Sequence, residues 1–424
     1  MSQVSTSTPG VDPPAGLPDI SEWDFWTGDR AERAEAFSTL RATPGLPFYP
    51  EHVLEDSPFP PGPGYYAVTR HADLWQASRH PEVFCSGRGF VIGDLGTELD
   101  EFYGSMIAMD DPKHFRLRSI VSKGFTPKHV ADLVGLIEQK ARELIDRMVD
   151  EHPDRTADFV EAFSGPFPLE IICSMMGIPA SDTSQIFDWT NVILGVGDPE
   201  FAGTYERLME VSLEIFAYAQ ALGEERRARP TDDITSALMA AELDGDRLTP
   251  QEFGSFFILL VTAGNETTRN ALSHGLEALT DHPEQRTTWF GDFDAHTKTA
   301  VEEIVRWATP VIYFRRTATE DTELGGQQLR EGDKIAMFYE SANRDPEVYE
   351  RPDQFDVTRP VLPQQVGFGA GGPHFCLGAN LARREIAIAF DEIRRRLPDL
   401  HVTGEPDYLQ SNFINGIKRL PCAW

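Results

Sequence analysis

The stretch that most restricts the fold is QEFGSFFILLVTAGNETTRNALSHGLEAL, residues 251–279, which reads as one long helix of nearly thirty residues. Its centre is apolar on most sides, so other elements must wrap it and it should run through the core. An acid and two threonines, Glu266, Thr267 and Thr268, sit in the middle of that run. Polar groups so placed are costly unless they have partners or a purpose.

The surrounding pattern is mostly helical. From Pro112 to about Gly254, segments such as VADLVGLIEQKARELIDRMVD and YERLMEVSLEIFAYAQAL repeat apolar residues at three- and four-residue spacing. AERAEAFSTLRA near the start and LARREIAIAFDEIRRRL near the end also read as helices. GYYAVTRHADLWQASRH reads as a strand passing into a helix. Residues 311–340 alternate like strands, with turn signals at GG and EGD, and FINGIKRLPCAW is strand-like. The expected class is mainly α with a minor β portion.

On length alone, 424 residues would suggest two or three domains. The residues of one site, however, are spread from about position 110 to position 380, so residues 21–424 are expected to form a single domain. Residues 1–20 are polar and rich in Pro and Gly; they read as a loose tail and not as a signal peptide. No apolar run reaches the length of a membrane span, and a cytoplasmic location follows as the expectation. A formal charge of -30 argues against nucleic acid as a partner. Four scattered cysteines, Cys85, Cys173, Cys376 and Cys422, form no CxxC pair, which disfavours a disulfide framework or a structural zinc site.

Cys376 stands apart from the other three. It lies in Phe368-Gly-Ala-Gly-Gly-Pro-His-Phe-Cys-Leu-Gly378, directly before a helix. Glycines such as Gly369 and Gly378 let a backbone lie against a flat group where a Cβ would collide. Unpaired N–H groups of the first helical turn would face the sulfur, lower its pKa and hold a thiolate. A buried cysteine in an ordinary turn is the plain alternative, but the FGxG…HxCxG string is too specific for it.

This segment closely resembles the haem-binding signature of the cytochrome P450 family, and the resemblance runs from about Asp24 to the C-terminus. It implies the cytochrome P450 fold, with haem b between the long helix and the Cys-bearing loop, and Cys376 as the axial thiolate to iron. Two departures stand out. Phe368 lies eight residues before the cysteine, whereas seven is the commonest spacing. Gln365 stands where many members carry a His that touches a haem propionate.

Further roles follow from the same resemblance. Thr267 matches the threonine that steadies the activated oxygen, and Glu266 matches the acid that relays protons from solvent; Gly264 would leave room for O2 beside the helix. A Thr hydroxyl here can also bond to the carbonyl four residues earlier. His114, Arg118, Arg316 and His374 match positions that contact the propionates, with Arg315 as the neighbour most easily confused with Arg316. Glu303 and Arg306 share a helix face at i, i+3 spacing. They resemble the ExxR pair, which with Arg359 forms a structural network and not a catalytic one.

Beyond the general signatures, the chain is similar to bacterial members that hydroxylate terminal methyl groups of methyl-branched lipids. Runs such as DFW (24–26), WTNVILGVGDP (189–199) and AGNETTRNA (263–271) carry this narrower likeness. Apolar positions expected to face substrate are Phe90, Ile92, Met106, Ile107, Leu194, Ala263, Gly264, Val311, Phe314 and Phe413. The implied reaction is omega-hydroxylation of a branched lipid or isoprenoid by O2 and two electrons. Those electrons come ultimately from NAD(P)H through a ferredoxin and ferredoxin reductase, since no flavin- or nicotinamide-binding fingerprint is appended. Arg116, Lys123, Lys128, Arg383 and Arg384 would form a basic docking face for the donor. Alternatives are hydroxylation at the end of a sterol side chain, a peroxide-driven enzyme, and a non-catalytic haem–thiolate sensor or lipid-binding protein.

Overall fold

The long apolar stretch folds as an unbroken helix, Pro250–Asp281. Thr249 opens it with a capping box: its Oγ accepts from the Glu252 N–H at 3.1 Å, and the Glu252 carboxylate accepts from the Thr249 N–H at 2.9 Å. The computed structural model describes residues 5–54, 57–125, 131–201, 204–243 and 246–424.

The helices that frame the site are α1 (Thr97–Gly104), α2 (Lys113–Val121), α3 (Val134–Glu151), α4 (Pro166–Met176), α5 (Thr183–Leu194), α6 (Tyr205–Ala228), α7 (Pro250–Asp281), α8 (Phe293–Ala308) and α9 (Ala379–Arg396). Helices α1, α4, α5, α6, α8 and α9 all pack on α7, which is what a helix apolar on most sides requires. The protein is about 53% helical.

A five-stranded sheet flanks this body. Its strands are β1 (Phe48–Tyr49), β2 (Tyr65–Val68), β3 (Phe84–Cys85), β4 (Tyr313–Ala318) and β5 (Lys334–Phe338), in the order β1-β2-β5-β4-β3. The β5–β2 pair is parallel and the others are antiparallel. Between β4 and β5 the hairpin Thr322–Leu324/Gln327–Leu329 turns at Gly325 and Gly326, both with positive φ, as the GG signal predicted.

The expected loose tail is a correction. Ser5–Ser7 pairs antiparallel with His52–Leu54. The Thr8 hydroxyl donates to the Gly62 carbonyl at 2.8 Å, and Ile20 is fully buried in a cluster with Trp26 and Phe37. Apolar Ile20 and the unpaired edge of His52–Leu54 hold the segment down despite its polar, Pro-rich composition. Among the described residues, no helix is long and apolar enough to cross a membrane.

Candidate active site

Between α7 and the Cys-bearing loop lies a cavity with about 1460 Å³ of atom-free space, its open mouth included. One face is a single side of α7: Phe256, Leu260, Ala263, Gly264, Thr267 and Ala271 recur at helical spacing and all line it. The opposite face is the loop from Gly367 to Gly378, with Cys376 at its end. Cys85, Cys173 and Cys422 are buried in packing, whereas Cys376 is open, and it opens onto the cavity.

The loop's backbone explains part of its glycine content. Gly372 has φ 76, and a Cβ there would stand 2.2 Å from the Ser78 carbonyl oxygen. That glycine serves the turn. Gly378, by contrast, has nothing within 4 Å of an added Cβ and lines the cavity, so it keeps a face flat. The Cys376 N–H donates to the Phe368 carbonyl at 2.9 Å, which closes the loop.

The thiol differs from the sequence expectation. Burial raises its pKa, and the Gly378 and Ala379 N–H groups with Arg118 and Arg383 oppose this without overcoming it. The helix-start donors are present, but desolvation outweighs them.

Basic groups crowd one edge. Arg118 and Arg316 line the cavity, both with pKa lowered by burial. The His114 and His374 rings lie 4.3 Å apart, and among the described residues the buried Nε2 of His114 has no hydrogen-bond partner. Burial, with the charges of Arg316, His114 and Arg118, pushes His374 down to about 2. The guanidinium groups of Arg118 and Arg316 meet His374 at this edge of the cavity, so the edge suits an anion. A flat group with a dianionic edge and a soft cation for sulfur fits these residues, and a haem has both. Arg315 is engaged elsewhere: it pairs with Asp94 at 2.7 Å and donates to the Arg88 carbonyl at 2.6 Å.

On α7, the Thr267 hydroxyl donates to the Ala263 carbonyl at 2.9 Å, and Thr267 faces the cavity. Glu266 does not. Its carboxylate is buried off the cavity wall, paired with Arg269 and accepting from Asn270 at 3.0 Å. The structure thus puts the hydroxyl and the acid on different faces. Gly264 lines the cavity, yet an added Cβ would meet Ile172 of α4 at 3.2 Å, so it also serves close helix packing. Asn265 donates to the Thr190 hydroxyl of α5 at 3.4 Å.

Of the expected substrate-facing residues, Met106, Ile107, Ala263, Gly264, Val311 and Phe314 line the cavity. Phe90, Ile92, Leu194 and Phe413 do not line this cavity. Phe413 packs edge-on behind Phe314 with ring centres 5.6 Å apart, and Phe90 packs against Phe413. Ile92 belongs to the apolar cluster around Tyr313, and Leu194 is half-buried at the end of α5. Phe256, Leu259 and Leu260 were missed, although extending the Ala263/Thr267 face by helical spacing would have found Phe256 and Leu260. Glu385 of α9 carried no local signal. It lines the cavity, accepts from the Thr268 hydroxyl at 3.1 Å, and is pushed up to about 8 by burial.

Glu303, Arg306 and Arg359 come together as one buried network. Arg306 grips Glu303 through two bonds of 2.7 and 2.8 Å, Arg359 reaches Glu303 at 2.9 Å, and Arg306 also donates to the Asn343 and Pro352 carbonyls.

Comparison with known proteins agrees with this geometry. A family model for Cytochrome P450 matches residues 296–397. The chain is 52% identical to a methyl-branched lipid omega-hydroxylase of Mycobacterium tuberculosis (strain CDC 1551 / Oshkosh), over 99% of this chain and 98% of that one. It is 41% identical to a steroid C26-monooxygenase of Rhodococcus jostii (strain RHA1), over 84% of this chain and 74% of the relative. A Mycobacterium marinum cytochrome P450 in complex with pseudoionone superposes with a TM-score of 0.92 at 41% identity, covering 98% of this chain and 100% of the other. With likeness of sequence over nearly its full length, and a cavity between one cysteine and one long helix, the chain belongs to the cytochrome P450 family of monooxygenases.

Proposed function

We propose that this protein hydroxylates the terminal methyl group of methyl-branched lipids or isoprenoids, as the name of its 52%-identical relative says of that enzyme. The observation that carries the reading is the character of the cavity. Beyond Thr267 its wall is Ala263, Leu260, Leu259, Phe256, Met106 and Ile107, and its basic groups are Arg118, Arg316 and His374 at the other edge. An apolar chain fits the first region and a dianionic cofactor edge the second.

In this reading Cys376 is the sulfur ligand of a haem, Arg118, Arg316, His114 and His374 hold its propionates, and Phe368, Gly369 and Gly378 lie along it. The bound haem would supply a redox-active iron at which O2 is activated. Val311 and Phe314 would orient the chain end. Thr267 would hold a proton donor at the oxygen side, its hydroxyl already fixed by the Ala263 carbonyl. Glu266 would feed protons to it only after leaving Arg269 and Asn270. Residues 21–424 act as one domain, since the site draws on α2, α7, α9 and the sheet.

Electrons would come from NAD(P)H through a ferredoxin and its reductase. The expected basic docking face is reduced, because Arg116 is paired with Glu252 and Arg383 with Glu302. Lys128 and the side chain of Lys123 lie outside the described residues. Of the described members of that face, Arg384 is exposed and open to donor contact.

The test is purified protein with ferredoxin, reductase, NAD(P)H and O2, offered branched fatty acids, isoprenoid alcohols and sterols, with products placed by mass spectrometry. Oxidation at the terminal methyl of branched chains is expected. Oxidation confined to internal carbons, or no turnover of any lipid, would sink the reading. A second reading, terminal hydroxylation of a sterol side chain, is favoured by the 41% identity to a steroid C26-monooxygenase. It would win if sterols alone were turned over.

A further inference from the structure

Two consecutive acids on α8 face different neighbours. Glu303 holds Arg306 and Arg359, whereas Glu302 turns toward the Cys-bearing loop and takes Arg383 of α9. Arg383 Nε donates to Glu302 at 2.5 Å, and its Nη2 donates to the second oxygen at 3.3 Å. The same guanidinium lies 4.4 Å from the centre of the Phe368 ring. Phe368 is in turn the residue whose carbonyl accepts from the Cys376 N–H.

Gln365 completes the group. Its amide donates to Glu302 at 3.0 Å, and its oxygen accepts from the Gly367 N–H at 2.5 Å. Gln365 is buried and does not line the cavity. It is spent on fixing Glu302 and the start of the loop, and not on contact with a cofactor edge.

Two arginines lie against the Cys-bearing loop, Arg118 at Phe375 and Arg383 over the ring of Phe368. Arg118 donates to the Phe375 carbonyl and has no carboxylate partner among the described residues. Arg383 is bound by one.

We infer that Glu302, fixed by Gln365, trims the positive charge that Arg383 presents to the Cys376 sulfur over the face of Phe368, and so sets how readily the cofactor accepts an electron. This rests on the haem–thiolate reading above. One-electron reduction adds negative charge beside the sulfur, so a positive neighbour favours it and a neutralised one favours it less. Glu302, Arg383 and Gln365 are positioning residues, since none touches the reacting atoms.

The test is the midpoint potential of purified, haem-loaded protein, with the spectrum of its reduced carbonyl adduct recorded beside it. Glu302→Gln should raise the equilibrium constant for reduction by about threefold to tenfold, a tenfold change being about 59 mV for one electron. Arg383→Gln should lower it by a comparable factor, because it removes a cation and frees the acid. The double variant should return close to wild type, as should Glu302→Asp and Arg383→Lys, which keep the charges. Shifts of the same sign in both glutamine variants, no shift in either, or loss of porphyrin from both would overturn the inference and assign the pair to loop packing. A wild-type protein without porphyrin, or without the carbonyl spectrum of a thiolate ligand, would instead defeat the reading on which it rests.

Discussion

Thr267 and Glu385 show how single residues divide the work around one cavity. The Thr267 hydroxyl is held by the Ala263 carbonyl and faces the space where oxygen would be handled. Thr267→Ala should leave substrate binding intact but cut product per electron consumed by about a hundredfold, the low end of the range for a lost proton-transfer group. Measuring product and hydrogen peroxide against NAD(P)H used would check it. Glu385 is a buried acid whose only hydrogen-bond partner among the described residues is the Thr268 hydroxyl, and burial pushes it up to about 8. Between the ordinary carboxylate range and about 8, the folded protein keeps a proton here that the unfolded chain has lost. Its contribution to stability therefore falls as pH rises through that window. Glu385→Gln should gain stability relative to wild type between pH 5 and pH 8, by an order of a few kcal/mol at most. Thermal unfolding of both proteins across that range would test this, and a difference that does not grow with pH would refute it.

At the scale of elements, α7 works as a ruler and α8 as an anchor. Phe256 and Thr267 are on one face of α7, and at about 1.5 Å per residue they are separated by roughly 16 Å of helix. Phe256→Ala should shift preference toward longer or bulkier chains with little effect on where the terminal methyl is attacked. Ratios of kcat/KM across a chain-length series would show it. In α8, Glu303 answers two guanidinium groups in a place closed to water. Glu303→Ala would leave Arg306 buried without its counter-charge, at a cost of about 3–5 kcal/mol. The readout is reduced stability together with weaker retention of porphyrin, because Arg306 and Arg359 also tie down carbonyls of residues 343–354. Helix α7 itself was legible from its apolar run. The wall it presents was only half legible: the Ala263–Thr267 portion stood out through its polar interruption, whereas Phe256 and Leu260 look like any other core residues of a buried helix.

For the molecule as a whole, the N-terminal segment is part of the body. Ile20 is fully buried, and the Trp26 indole donates to its carbonyl at 2.9 Å. Removing residues 1–20 should cost about 1.5–3 kcal/mol for the lost side-chain burial alone. It should appear as a lower unfolding midpoint, and an unchanged midpoint would show that the segment is dispensable.

The sequence by itself determined the mainly helical body, the buried long helix, and the loop that carries Cys376. These depend on neighbours along the chain: helical periodicity, glycine where backbone must turn, and a cysteine placed at a helix start. Tertiary structure alone decided which side of a locally ambiguous element faces the cavity. In β4, Arg315 and Arg316 are adjacent, and the alternation of a strand sends one to Asp94 and the other to the cavity edge. Phe413 is apolar enough for a wall but stands behind Phe314, and Glu266 is one residue from Thr267 but about 100° of helix rotation away from its direction. Burial likewise overruled the helix-start donors at Cys376, because desolvation depends on everything packed around a group and not on the residues beside it in the chain.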